Sequence, residues 1–178
     1  MEKLPPIIPS VWTIGQRDAA SVSAHPLIHV AGARLGSVAQ FVEPLKRAQK
    51  RFWVHADMIA GLKMDREGLS VLNNLIAPAS IVTSNLALAR VARSMNKSVV
   101  LRVFIHDSQS LESSVSAIDR IRPDIVCCMP AVAFPFVNHE IEAFGIPIVV
   151  AGLVRTASLR DNLLKLGISV EIGNANLW

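Results

Sequence analysis

Short apolar runs rich in β-branched residues recur along the whole chain and predict a series of buried strands. Several of these runs show no alternation between apolar and polar residues, which is typical of parallel strands covered on both faces. We place the eight predicted strands at residues 7–11, 27–31, 52–56, 80–83, 98–104, 124–129, 147–151 and 168–172.

Stretches with helical spacing separate the predicted strands. The clearest is 65–77, where leucines and an isoleucine recur at three- and four-residue steps, and 86–95, 111–122 and 158–167 repeat the pattern. Gly167 stands where the last of these helices should stop. Strand starts lie roughly 20 to 27 residues apart, the length of one strand–helix unit, so the sequence predicts a repeated β/α order.

Eight such units in a row predict an α/β protein with a TIM-type (β/α)8 barrel rather than an open, doubly wound sheet. The chain has 178 residues, whereas barrels of this kind usually take about 250. We therefore expect a compact barrel with shortened helices, and the first and last helices are the best candidates for shortening. No linker divides the chain, so residues 1–178 are predicted to form one barrel domain.

Composition narrows the class of protein. Hydrophobic residues make up 51% and charged residues 18%, which excludes a disordered chain. The formal net charge of +4 permits an anionic partner without requiring one. Aromatic residues make up only 5%, with no tyrosine, which argues against a long stacking track for single-stranded nucleic acid.

The two cysteines, Cys127 and Cys128, are adjacent in an apolar run. A disulfide framework or a structural zinc site needs wider spacing and further ligands, so we expect reduced thiols in the core. The histidines have no metal-ligand spacing, and the sequence predicts neither a metal nor another cofactor. No signal peptide is recognisable, and no apolar run approaches the ~20 residues of a membrane span. We therefore expect a cytoplasmic protein with no membrane partner.

Residues capable of chemistry follow the third to eighth predicted strands. In a TIM barrel the carboxyl ends of the strands form one mouth, where binding and active sites lie. Two arginines would give that mouth positive charge, and loop amides after the last two strands would form a phosphate cradle. The residues in question are His55, Asp57, Ser84, Asn85, Arg102, Asp107, Ser108, Met129, Pro130, Gly152, Arg155, Thr156, Glu171, Gly173 and Asn174.

Structural roles compete with binding roles at several of these positions. Asp107 and Ser108 suit the start of a helix equally well, since both residue types cap helices. His55 is also compatible with a hydrogen-bonded histidine of the core.

Arg102 lies within a predicted buried strand and therefore needs a partner or a ligand. An unpaired buried charge is very costly. Asp57 and Glu171 are the candidates for a partner within the chain.

Basic residues form a second pattern, because they gather where the predicted helices end. Helix carboxyl ends point to the lower face of a barrel, opposite the mouth. Complementarity with the helix dipole, worth ~0.3–1 kcal/mol per cation, explains such a pattern. The alternative is a basic rim that contacts the phosphates of a nucleic acid. The residues are Lys46, Arg47, Lys50 and Arg51 at the second helix, Arg93 and Lys97 at the fourth, Arg120 and Arg122 at the fifth, and Lys165 at the seventh.

Several motifs occur together in an order that is specific to one family. With them the chain resembles the glycerol-3-phosphate-responsive antiterminators, the glycerol uptake operon antiterminator regulatory proteins, from about Ile7 to Trp178. The motifs are KRFWVHADMIAGL at 50–62, SIVTSN at 80–85, LRVFIHDSQSLESSV at 101–115, IRPDIVCCMP at 121–130, GIPIVVAGLVRT at 145–156 and a terminal LW.

The resemblance implies a short TIM-type barrel that senses glycerol 3-phosphate and binds an mRNA leader, letting polymerase read through a terminator. It implies regulation without catalytic turnover, and it leaves a homo-oligomer open. The ligand mouth would use His55, Asp57, Arg102, Asp107, Ser108, Pro130, Gly152 and the end of the eighth strand.

Four sites depart from the usual pattern of the family, one of them Ala131, which stands where a glycine would follow Pro130. Asn85 stands in place of a lysine, Ala151 in place of the first of two glycines, and 171–173 in place of a Ser-Thr-Ser-type strand end. Glu171 would place a carboxylate beside a phosphate dianion, which is repulsive. A missing ammonium group removes a charge-assisted hydrogen bond of ~1.5–3 kcal/mol.

Two alternatives to an antiterminator stay open. One is a barrel enzyme acting on a small phosphorylated metabolite, with Asp57 or Glu171 as acid or base and His55 as proton donor. The other is a divergent member of the family with a different ligand.

Overall fold

A computed structural model describes residues 3–178 and shows eight parallel strands closed into a barrel. This confirms the predicted TIM-type fold. Neighbours around the barrel follow chain order, and the last strand pairs with the first. In chain order the strands are β1 (Ile7–Val11), β2 (Leu27–Val30), β3 (Ala33–Arg34), β4 (Arg51–His55), β5 (Ile59–Ala60), β6 (Ser80–Thr83), β7 (Val99–Phe104), β8 (Ile125–Met129), β9 (Ile148–Ala151) and β10 (Ser169–Ile172); β3 and β5 pair only with each other, outside the barrel.

Helices surround the barrel and connect its strands, and capping side chains set where they begin. Asp107 caps α5 together with Ser110, so this helix begins at Ser108, as expected from the capping residues and three residues before the apolar repeat that starts at residue 111. Asp65 and Asn85 cap α3 and α4 in the same way. The helices are α1 (Ile14–Val22), α2 (Val38–Arg47), α3 (Arg66–Ile76), α4 (Leu86–Ser94), α5 (Ser108–Ile121), α6 (Asn138–Glu142) and α7 (Ala157–Lys165).

The shortened helix is α6, which has five residues, and not α1, which has nine. The expectation of a shortened first helix is therefore wrong. Thr13 and Gln16 form a capping box that starts α1. Before α6 the chain forms a 3-10 helix, where Pro135 has no N–H to donate to an α-helical ladder. After β10 only a 3-10 turn over Ala175–Leu177 remains, as predicted for the last helix.

The core has two apolar layers, one outside the barrel wall and one inside it. Side chains of each strand alternate between them: on β7, Leu101 and Val103 face the helices, while Val100 faces the interior. The interior layer is apolar near the amino ends of the strands, where Trp53 and Leu27 fill it. Polar side chains replace apolar ones toward the carboxyl ends, and they form the site described below.

Both cysteines are free and buried, as predicted. Cys127 packs inside the barrel and Cys128 against the outer layer. Burial raises the pKa of Cys128 to about 12 and also raises that of Cys127, so both remain thiols at neutral pH. No helix within residues 3–178 is long and apolar enough to cross a membrane.

Gly68 should be required at the start of α3, because a Cβ added there would lie 1.8 Å from the carbonyl oxygen of Lys63. We expect Gly68→Ala to lower the free energy of unfolding by about 1–3 kcal/mol, the usual cost of overpacking. Gly15 in α1 has no atom within 4 Å of its Cβ position. Gly15→Ala is therefore the control, expected to stabilise by about 0.4–1 kcal/mol. Urea unfolding compares the two variants, and equal stabilities would contradict the prediction.

Candidate functional site

An ion pair between Arg102 of β7 and Glu171 of β10 lies at the centre of the barrel mouth. The Nη2 atom of the guanidinium lies 2.5 Å and 2.6 Å from the two carboxylate oxygens. Both side chains are only 6% exposed. β7 and β10 are separated by two other strands, so the pair spans the barrel interior. Of the two candidate partners for Arg102, the structure selects Glu171.

His29 of β2 completes this cluster and was missed by the sequence reasoning. Its Nδ1 atom lies 2.9 Å from Oε1 of Glu171 and 3.1 Å from Oγ of Ser10, its register partner on β1. The side chain is fully buried. One signal for it is present in the sequence: His29 shares with Leu27 the face of β2 opposite to Ile28, and Leu27 lines the barrel interior.

Burial and pairing together set the charges of the cluster. Burial alone would raise the pKa of Glu171, but its interactions with His29 and Arg102 outweigh burial and hold the pKa well below its usual range. Burial also opposes the charge on Arg102, and the Glu171 carboxylate overcomes it and raises the guanidinium pKa. For His29, burial dominates and lowers the imidazole pKa, although Glu171 acts in the opposite direction. At neutral pH the cluster is an ion pair beside a neutral histidine.

The tautomer of His29 follows from its partner. An ionised carboxylate only accepts hydrogen bonds, so the neutral imidazole donates from Nδ1 to Glu171. Its Nε2 atom is then an acceptor, and this buried atom has no hydrogen-bond partner within the described residues. Nε of Arg102 and Nδ1 of His55 are buried without a partner in the same part of the structure.

Asp57 is held by three hydrogen bonds beside this cluster. It accepts from Oγ1 of Thr83 at 2.5 Å, and from the backbone N–H and the hydroxyl of Ser84 at 2.7 Å and 2.9 Å. Nε2 of His55 lies 3.7 Å away. Burial would raise the pKa of Asp57, but nearby His55 and the hydrogen bonds from Thr83 and Ser84 lower it well below its ordinary value. The carboxylate therefore ties the end of β4 to the end of β6.

A cavity of about 330 Å³ opens at the ends of β9 and β10. Gly152 in its wall has φ +80, and a Cβ there would lie 2.9 Å from Cε of Met129, so only glycine fits without strain. Arg155 projects from the loop after β9 and is exposed. Of the residues predicted for the mouth, this cavity brings together Arg102, Met129, Gly152, Arg155, Glu171, Gly173 and Asn174.

A second, more open cleft of about 410 Å³ lies beside α5 and is lined by Ser84, Arg102 and Asp107. Asp107 itself accepts the backbone N–H of Ser110 and caps the helix, and Asn85 accepts from two backbone N–H groups of α4. Helix capping thus accounts for both side chains. Six predicted residues line neither cavity within the described chain; they are His55, Asp57, Asn85, Ser108, Pro130 and Thr156.

Neighbouring carboxylates compensate part of the charge of the basic residues predicted for the lower rim. Arg47 pairs with Glu43, Arg93 with Asp124, and Arg122 with Asp119. Lys50 and Lys97 keep their full charge, since they donate to neutral oxygens of Ser23 and Asn73. Lys46 and Arg120 have no carboxylate partner within residues 3–178, and Lys165 ends α7.

One detail of that rim was placed wrongly. The helix α2 ends at Arg47, so Lys50 follows the helix and Arg51 is the first residue of β4. Gln49 with φ +54 turns the chain between them, which breaks the helix earlier than the run of basic residues suggests.

No group of three or more histidine, cysteine or acidic side chains in residues 3–178 is arranged to hold a metal ion. A family model described as glycerol-3-phosphate responsive antiterminator matches residues 7–178. The chain belongs to this family. The glycerol-3-phosphate responsive antiterminators are regulatory proteins by description, which favours regulation over catalysis for the barrel mouth.

One curated protein and two solved structures are similar to this chain over nearly its whole length. The uncharacterized protein YgcP of Escherichia coli (strain K12) is 21% identical over 174 residues, covering 97% of this chain and 91% of YgcP. The glycerol uptake operon antiterminator regulatory protein of Listeria monocytogenes superposes with a TM-score of 0.89 at 21% identity, over 97% of this chain and 94% of that one. A glycerol uptake operon antiterminator-related protein of Thermotoga maritima also gives 0.89, at 22% identity and 99% of both chains. At these identities the likeness establishes the fold.

The site should make the folded protein sensitive to acid. His29 binds a proton less readily in the folded chain than at its ordinary pKa of 6.5, so protonation below that pH favours the unfolded chain. Glu171 and Asp57 have pKa values lowered from 4.5 and 3.8, and the stability they contribute is lost as the pH falls below those ordinary values. We expect the melting temperature to fall from about pH 7 to about pH 5 and more steeply below about pH 4.5.

Thermal unfolding followed by circular dichroism measures this dependence. His29→Asn should flatten the part between about pH 7 and about pH 5, because the titrating group is gone. His139 is exposed, so His139→Asn is the control and should leave the curve unchanged. An unaltered slope in His29→Asn would contradict the assignment.

Proposed function

We propose that this member of the antiterminator family binds a small phosphorylated ligand, glycerol 3-phosphate or a related small anion, in its mouth and an mRNA leader on its lower face. It acts in the cytoplasm, as one barrel domain and without turnover. The observation that carries the proposal is the cavity at β9 and β10, whose 330 Å³ suits a small ligand. The family description supports the same ligand.

The loops after β9 and β10 supply what a phosphate ester needs. Gly152 and Gly173 line the cavity without side chains, and α7 begins nearby with Thr156 as its cap. Helix amino ends and free amides attract anions. Arg155 adds a positive charge at the opening, where an incoming phosphate meets it first. These groups together form the cradle that the loop positions lead us to expect.

A catalytic role is the weaker candidate. An acid or base needs a pKa near the working pH and a free position next to its substrate. Asp57 is occupied by hydrogen bonds from Thr83 and Ser84, and Glu171 is occupied by Arg102. The pKa values of both carboxyls lie well below their usual range, which suits permanent anions better than proton carriers.

For the RNA, the lower rim offers Lys46, Lys50, Lys97 and Arg120 as cations without a carboxylate partner in residues 3–178. Lysine and arginine contact phosphates without reading sequence. Arg47, Arg93 and Arg122 are engaged by neighbouring carboxylates and contribute less. The RNA contact is therefore expected to be electrostatic, through about four cations.

Calorimetry with glycerol 3-phosphate tests the mouth. We expect Arg155→Met to weaken binding about tenfold, because it removes one charge-assisted hydrogen bond. Arg90 is exposed on α4, away from the cavity, so Arg90→Met is the matched control and should bind as the wild type does. Absence of binding by the wild-type protein would favour a divergent member with a different ligand. Equal binding by Arg155→Met would place the phosphate elsewhere.

Salt dependence tests the lower rim. The logarithm of the affinity for leader RNA of the glycerol-utilisation genes should fall linearly with the logarithm of salt concentration, by about 0.7–0.9 for each phosphate contact. Lys46→Gln/Arg120→Gln should reduce that slope by about 1.5, whereas Arg34→Gln/Arg90→Gln removes the same charge elsewhere and should not. Filter binding at several salt concentrations gives the slopes, and equal slopes would rule out this surface.

A further inference from the structure

Glu171 already occupies the position on Arg102 that an external anion would need. Both of its oxygens lie within 2.6 Å of the Nη2 atom of the guanidinium, and both side chains are almost fully buried. His29 donates a further hydrogen bond to the same carboxylate, so Glu171 is fixed from two sides. The charge of Arg102 is therefore neutralised from within the chain before any ligand arrives.

The polar atoms left free around this pair suit hydroxyl groups and not anions. Nε2 of His29 is a buried acceptor without a partner, and Nε of Arg102 is a buried donor without one, within the described residues. Nδ1 of His55 is a third such atom, and the two imidazole rings lie 5.7 Å apart. A hydroxyl both donates and accepts, so it satisfies a donor and an acceptor together. A phosphate dianion only accepts, and it would face the carboxylate of Glu171.

We infer that Glu171 is a specificity-determining residue that excludes anionic groups from Arg102 and reserves the inner mouth for the hydroxyl-bearing, uncharged end of a ligand. This inference deepens the proposed function and rests on it for the presence of a ligand. A phosphate ester would then bind with its phosphate at the outer loops, near Arg155 and Gly173, and with its hydroxyl groups pointing inward. Arg102 would contribute no direct contact to the phosphate.

Removal of the carboxylate tests the inference, since it uncovers Arg102. In Glu171→Ala the guanidinium is buried and unpaired, and an added anion of similar shape should take the vacated position. We expect acetate and inorganic phosphate to raise the melting temperature of Glu171→Ala above its value in sodium chloride of the same ionic strength. The rise should exceed that of the wild type and of the neutral double variant Arg102→Met/Glu171→Gln, in which phosphate binds only at the outer loops and acetate finds no uncovered guanidinium.

Glu171→Gln gives a second measurement that does not depend on the alanine variant folding. The amide keeps the size of the side chain and removes its charge. Phosphate at Arg102 then faces no carboxylate and displaces a weaker, neutral partner. Calorimetry should give at least a tenfold lower Kd for inorganic phosphate in Glu171→Gln than in the wild type. Equal Kd values in these two proteins would overturn the inference. So would a wild type that binds phosphate tenfold more tightly than Arg102→Met/Glu171→Gln, because Arg102 would then reach the anion despite Glu171.

These results are separable from those for the proposed function. If the wild type fails to bind glycerol 3-phosphate while Glu171→Gln gains phosphate affinity, the assigned ligand is wrong and the role of Glu171 stands. If the wild type binds glycerol 3-phosphate and loses affinity in Arg102→Met/Glu171→Gln by tenfold or more, the ligand stands and the role of Glu171 falls.

Discussion

Arg102 and Glu171 reach toward each other from β7 and β10 across a barrel interior that leaves each side chain only 6% exposed. Removing one partner of such a pair costs ~3–5 kcal/mol, because the charge left behind is unpaired. His29 on β2 and Ser10 on β1 join the same network. Four of the eight barrel strands must therefore keep their register for one charge to be compensated. A slip of one residue in any of them would turn a polar side chain toward the apolar outer layer.

This constraint divides the mouth into two walls of different character. The inner wall consists of strand side chains whose positions are set by the barrel itself, and its charges cancel. The outer wall consists of the loops after β9 and β10, where Gly152 and Gly173 line the cavity without side chains and Arg155 is exposed. The outer wall would then bind the charged group of a ligand, and the inner wall would recognise the shape and the hydroxyl groups of that ligand.

The mouth and the lower face are joined by the same strand. β7 carries Arg102 near its carboxyl end, and at its amino end the N–H of Val99 donates to the Asp124 carboxylate, which also binds Arg93. Asp124 thus connects the barrel wall to one cation of the lower rim. Two surfaces with different proposed partners depend on the position of a single six-residue strand.

Much of the fold can be predicted from the sequence, because parallel strands covered on both faces leave uninterrupted apolar runs. Helix boundaries depend on capping side chains: α5 begins at Ser108, after its cap Asp107 and three residues before its apolar repeat. The sequence offers Asp107 equally as a cap and as a ligand-binding residue, and only its hydrogen bond to the N–H of Ser110 shows that it caps the helix. The sequence limits the partner of Arg102 to two carboxylates, Asp57 and Glu171, but does not show which of them forms the ion pair. The choice depends on which residues of β7 and β10 face each other across the barrel, and strand order alone does not contain that information. The sequence does not identify His29 as a site residue. A polar residue in an apolar strand can be assigned to the barrel interior only when the face of the strand on which it lies is known.

The connection between β8 and β9 has a consequence for how the barrel moves. Only a 3-10 segment and a five-residue helix cover this flank, and elements this short contain few internal hydrogen bonds. Phe134 and Ile141 anchor the segment in the core, whereas Phe136 is 84% exposed. Local opening of the backbone between these anchors needs less free energy than opening of the strands beneath, so amide exchange should be faster here than in β8 and β9.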